Sequence, residues 1–130
     1  MPRPAAEEQN LSTPLSHDRL VELTAERMVH LGYHRVCASH IDRFTACDKI
    51  SGFIPDATAF SVSVLVIAEA ESREGLTASH TVEQWTSFHA QASRLGGFFV
   101  TAVNKSDEPA AKALLKQVCG SATNIDVWTF

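Results

Sequence analysis

The chain has 130 residues, of which 45% are hydrophobic and 20% charged, and a formal net charge of -4. That length supports one soluble globular domain with a sizeable core and excludes two. The acidic balance counts against a strong free-standing DNA binder, since affinity for nucleic acid comes largely from Lys and Arg on phosphates and the 11 present would have to gather on one face.

No apolar stretch approaches twenty residues, and Met1-Pro2-Arg3-Pro4-Ala5-Ala6-Glu7-Glu8 lacks the apolar centre of a signal peptide, so a cytoplasmic location is expected. Cys37, Cys47 and Cys119 are an odd count without regular spacing. They are expected to be reduced thiols rather than a disulfide frame.

Residues 1–15 hold three prolines, Glu7-Glu8 and little apolar content, which predicts a flexible N-terminal arm, with a single domain over 16–130. Ser16 or Asp18 can cap a first helix whose apolar face is Leu20, Val21, Leu23, Met28 and Leu31, and Gly32 ends it. Residues 33–40 read as a first strand and 41–51 as a long connection. The segments 52–60 and 63–71 read as two strands joined by a tight turn, because the second is short and β-branched.

Beyond Gly75 the period changes to three or four, with Val82, Trp85, Phe88, Ala92 and Leu95 on one face of a helix that starts at Ser79 or Thr81 and stops at Gly96-Gly97. A buried strand, 98–103, follows. Asp107 is expected to cap a third helix with Pro109 in its first turn and Ala113, Leu114, Leu115 and Val118 inside, up to Gly120. A last strand spans 125–128. The expected class is α/β, a mixed sheet flanked by helices in the order α-β-β-β-α-β-α-β.

The run Val62 to Ala68 should lie inside the sheet, yet Pro55-Asp56 precedes it and Glu69-Ala70-Glu71 follows it directly. With the hairpin turn centred between Val62 and Ser63, Asp56 lies across from Glu69, at a Cβ separation of about 4.5 to 5.5 Å. Glu71, two residues on, points to the same face, about 7 Å further along by strand rise. Carboxylates so placed destabilise one another unless one is protonated or a cation sits among them, and oxygen-only ligands favour Mg²⁺ or Mn²⁺ over zinc. Deleting them without metal is therefore expected to raise stability.

These residues resemble the PD-(D/E)XK, or restriction-endonuclease-like, nuclease superfamily over roughly 19–118. The resemblance implies a Mg²⁺-dependent nuclease in which Asp56 and Glu69 are metal ligands and Glu71, in an E-X-E variant, stands at the usual lysine position and helps activate water. Gln84, within Gln84-Trp85-Thr86-Ser87-Phe88, looks like the Q-X-X-X-(Y/F) helix motif that supports the active centre. An acid of the first helix, Glu22 or Glu26, would assist the metal.

Lys49, Arg73 and His80 are candidates for holding phosphates. Trp128 and Phe130 could cover a homodimer seam, or a larger assembly could supply the DNA affinity that net charge withholds. A zinc site of Cys37, His40, Cys47 and His34 fits no standard pair of knuckles, and His89 reads as a packed or solvated histidine. Two rivals remain. One is a catalytically silent domain of the same fold acting as an interaction or assembly module; the other is an unrelated α/β protein in which the acids are incidental.

Overall fold

The computed structural model describes residues 13–130. Among the described residues three helices and five strands follow one another as α1 (His17–His30), β1 (His34–Ala38), β2 (Ala57–Ser61), β3 (Val64–Glu71), α2 (Ser79–Arg94), β4 (Phe98–Val103), α3 (Glu108–Cys119) and β5 (Ile125–Thr129), with short 3-10 turns at Gly75–Thr77 and Lys105–Asp107. The strands form one open mixed sheet in the order β1-β2-β3-β4-β5. The first three are antiparallel neighbours, and β3, β4 and β5 run parallel.

Alternation along β3 sorts the core into two layers. Val66, Ala68 and Ala70 face α1, packing with Met28, Leu20, Val21 and Ala25, whereas Ile67 faces α2 and α3, packing with Trp85, Phe88, Ala111, Leu114 and Leu115. Both crossovers between parallel strands pass over that second face, which is why β3 is covered on both sides and reads as a nearly unbroken apolar run. Trp85 and Phe99 meet edge to face at 5.8 Å between ring centroids, and Phe53 reaches Phe88 at 6.1 Å. Trp85, Phe88 and Phe99 are fully buried, and each contributes roughly 1.5–3 kcal/mol by leaving water.

Ser16 caps α1, its hydroxyl accepting the Arg19 N–H at 3.1 Å. Gly32 follows at φ +81, a left-handed conformation that favours glycine. Asp107 stands at the N-cap of α3 as expected but makes no side-chain capping bond; its buried carboxylate instead accepts from Arg73 Nε at 2.9 Å. The helix α2 starts at Ser79, one of its two expected starts, and Thr81 in its first turn donates to the Gly75 carbonyl at 2.6 Å. Leu95, placed by its period on the buried face, is 57% exposed beyond the last turn of α2.

The first strand stops two residues early. Ser39 leaves the β1 line and bonds to the segment before β2, and His40 turns the chain away at φ +66. The second begins only at Ala57, because 50–53 are tied into their own small turn by reciprocal Ile50 and Phe53 bonds. Of the expected arm, residues 1–12 lie outside the described residues. Leu15 is not loose: its N–H and carbonyl are both held by the Asn104 side chain, at 2.6 and 3.2 Å.

Cys37 and Cys47 form a disulfide, which corrects the expectation of three reduced thiols and removes the zinc reading. Their spacing alone does not reveal it. The connection folds back on β1 through the Ala38 N–H to Thr45 carbonyl bond at 2.9 Å, and this brings the two Cα atoms to 5.2 Å. Trp128 and Phe130 are likewise engaged inside the chain: the Arg27 guanidinium lies 5.2 and 4.2 Å from their ring centroids. Among the described residues no helix is long and apolar enough to cross a membrane.

Candidate active site

The β2–β3 register runs from Ser61↔Val64 to Ala57↔Ala68, so one further step sets Asp56 against Glu69. Val62 and Ser63 are the turn, with Val62 at φ +60. Glu69 and Glu71 occupy the alternation of Ile67 and therefore face α2 and α3, at the carboxyl end of β3 where it runs beside β4. In open sheets with parallel strands, that end is where ligands generally bind.

Both glutamates are buried, Glu69 at 3% and Glu71 at 8% exposure. Asp56 and Glu69 clasp each other through the backbone. Glu69 Oε2 accepts the Asp56 N–H at 2.8 Å, and Asp56 Oδ2 accepts the Ala70 N–H at 2.8 Å. Truncating either acid to alanine would therefore orphan a backbone donor, which corrects the simple expectation that deletion stabilises; the amide isosteres isolate the charge.

Burial, and then the charge of Asp56, push the Glu69 carboxyl well above the ordinary carboxylate range. The same causes in the same order push Glu71 up to about 7. His17 and Trp85 oppose that second rise, but the buried Trp85 Nε1 has no hydrogen-bond partner, so the indole lies near the Glu71 carboxyl without bonding to it. The Thr101 hydroxyl, on the residue paired with Glu69 in β4, is a second buried donor without a partner.

The residue that sequence reasoning missed is His17. It opens α1, 44% exposed, with Nε2 at 3.2 Å from Asp56 Oδ2 and Nδ1 at 3.2 Å from Asp18 Oδ1. The hydrogen bond to Asp56, opposed by desolvation, raises its pKa to about 9. The only local signal was Ser16 as a cap, which fixes where α1 starts; nothing in periodicity brings that start to Asp56.

Other candidates lie elsewhere. Glu22 is engaged by Arg19 at 2.6 Å and by Arg43, which also pairs with Glu26. The Arg19 bond holds the Glu22 carboxyl below its usual range. Gln84 is half-buried on α2, and among the described residues no hydrogen bond joins it to the acids. Lys49 and His80 are exposed. Arg73, two residues beyond Glu71, is exposed and paired with Asp107. His89, expected to be packed or solvated, bonds to Asn124 at 2.9 Å.

Among the described residues no three His, Cys, Asp or Glu side chains are arranged to close on one metal ion. The donor set nonetheless fits a hard cation held by two carboxylates, because Mg²⁺ commonly takes one or two and keeps several waters. A cleft of about 540 Å³ lies elsewhere, beside β1 and β2, and none of the acids lines it.

Gly75 sets the room available to Glu71. A Cβ at this position would overlap Glu71 Oε1, the mobile end of a side chain. Gly75→Ala is therefore expected to swing the Glu71 carboxyl out of its buried seat. Its titration midpoint, followed by carboxyl NMR, should fall from about 7 toward 4.5; an unmoved midpoint would show that Gly75 does not shape the site.

The chain matches no protein-family model, and neither a curated protein nor a solved structure matches it.

Proposed function

We propose that the protein is a Mg²⁺- or Mn²⁺-dependent phosphodiester hydrolase, an endonuclease or exonuclease acting on DNA, with an E-X-E version of the PD-(D/E)XK site on a restriction-endonuclease-like fold. The observation that carries this reading is the hairpin register, which sets Asp56 against Glu69 at the carboxyl end of a buried strand with Glu71 on the same face. The element order and the sheet order, antiparallel for three strands and parallel for three, support the fold.

Asp56 and Glu69 would hold the cation. Once bound, it would polarise a phosphate and acidify a water. Glu71, with its pKa near neutrality, is poised to accept the proton of the attacking water, since a general base works best near the operating pH. Gln84 is assigned the supporting position on α2. His17, paired with Asp56, and Arg73, two residues past Glu71, are assigned the phosphate-facing charge that a lysine at position 71 would supply. With a net charge of -4, DNA affinity would come in part from a second copy or a larger assembly, and the proposed compartment is the cytoplasm.

The second reading, a catalytically silent module of the same fold, is favoured by the acid at position 71 and by the lack of a three-residue metal cage among the described residues. Supercoiled plasmid and single-stranded DNA, incubated with Mg²⁺ or Mn²⁺, separate the two. The nuclease reading expects cutting that Asp56→Asn and Glu69→Gln each reduce at least about a hundredfold, the scale of losing a principal electrostatic contribution. Cation binding with no cutting of either substrate would select the silent module. No cation binding at all would sink the metal site.

A further inference from the structure

The connection between β1 and β2 delivers Asp56 to the site, and Ser39 is its tie to the end of β1. Buried Ser39 donates its N–H to the Asp56 carbonyl at 2.9 Å and its hydroxyl to the Pro55 carbonyl at 2.9 Å. Ser39 itself sits inside the ring closed by Cys37 and Cys47, which are ten positions apart, and directly follows the last residue of β1. The Ala38 N–H to Thr45 carbonyl bond closes the base of the same ring. Directly after Ser39 the chain turns off at His40. The covalent ring therefore fixes Ser39, and Ser39 fixes the backbone on which the Asp56 carboxylate is mounted.

The structure assigns Ser39, held by the Cys37–Cys47 disulfide, as the positioning residue of Asp56, so that the thiol state of this pair sets where the carboxylate lies. For the cation this rests on the metal-site reading above; for the carboxylate it does not. Both cysteines line the 540 Å³ cleft, which gives a small thiol a route to the sulfurs. In the reduction, one thiolate of a dithiol attacks one sulfur and the other leaves as thiolate. The second thiol of the reagent then resolves the mixed disulfide. Cys37 and Cys47 end as thiols, having gained two electrons and two protons, and the dithiol ends as its cyclic disulfide. Opening the ring frees the connection to move relative to β1.

Amide hydrogen exchange reads the outcome without any metal, because the Ala70 N–H is bonded to Asp56 Oδ2. A Cys119→Ser chain, which keeps only the disulfide pair, is compared oxidised and after treatment with dithiothreitol. Reduction is expected to speed exchange at Ser39 and Ala70 at least tenfold, while the Phe99 amide, bonded to the Asn124 carbonyl, stays unchanged. Ser39→Ala in the oxidised chain should reproduce the Ala70 change and Ser39→Thr, which keeps the hydroxyl, should not.

Calorimetric titration with Mg²⁺ on the same samples should give at least tenfold weaker binding after reduction. Ala70 exchange that is indifferent to reduction and to Ser39→Ala overturns the proposal, whether or not Mg²⁺ binds. Ala70 exchange that responds in a chain that never binds Mg²⁺ upholds the positioning role and removes the metal site instead. If the double variant Cys37→Ser, Cys47→Ser fails to fold, reduction of the folded chain still decides the question.

Discussion

Glu71→Gln is expected to stabilise the cation-free protein by about 2–3 kcal/mol at pH 8 and to leave it nearly unchanged at pH 4. The Glu71 pKa is about 7 in the fold against 4.5 for an ordinary glutamate, so between those values the folded state binds more protons than the unfolded one. Unfolding free energy then falls as pH rises, with the whole penalty in force above 7 and none below 4.5. Glutamine keeps the shape of the side chain and carries no charge to desolvate. Urea denaturation at the two pH values checks this, and a gain of equal size at both would mean that charge burial is not the cause. Glu69→Gln should act in the same direction, because Glu69 is raised as well and its amide oxygen can still accept the Asp56 N–H.

Magnesium should remove the same penalty, and its effect should depend on pH. At pH 8 Glu71 carries a charge that a cation neutralises, whereas at pH 5 a proton already occupies it. A concentration one hundred times the dissociation constant adds about 2.7 kcal/mol, which for a chain of this size is a rise in Tm of roughly 10 °C at pH 8. Little change is expected at pH 5 or in Asp56→Asn. Calorimetric scans with and without Mg²⁺ measure it, and an equal shift at both pH values, or in the variant, would place the cation elsewhere. His17 shifts stability with pH in the same direction as the acids: its pKa rises from 6.5 to about 9, so its stabilisation is complete below 6.5 and is lost as pH passes through 9. Cation-free protein should thus be less stable at pH 9 than at pH 5 on account of all three groups.

Much of the fold follows from local rules. The Ser16 cap and Gly32 set the limits of α1, the three- and four-residue spacing around Trp85 and Phe88 identifies α2, and 98–103 is β4 to the residue. The β2–β3 pairing was also legible, because a two-residue turn at Val62 and Ser63 leaves one register that sends Val66, Ala68 and Ala70 to one layer and Ile67 to the other. Placing Asp56 opposite Glu69 is a consequence of counting back from that turn.

What tertiary structure alone decided has a common cause: each contact joins residues far apart in the chain through side chains whose local pattern is unremarkable in type and spacing. His17 meets Asp56 across 39 residues, Arg73 takes the Asp107 carboxylate from its capping bond, and Arg27 lies over Trp128 and Phe130. Cys37 finds Cys47 only because the connection folds back on β1. Periodicity and capping report how a segment relates to its own neighbours, so the sequence by itself determined the helices, the hairpin and the meeting of Asp56 with Glu69. The partners of those acids, and the ring that holds Asp56 in place, were set by packing of the α1 start and the β1–β2 connection against the carboxyl end of the sheet.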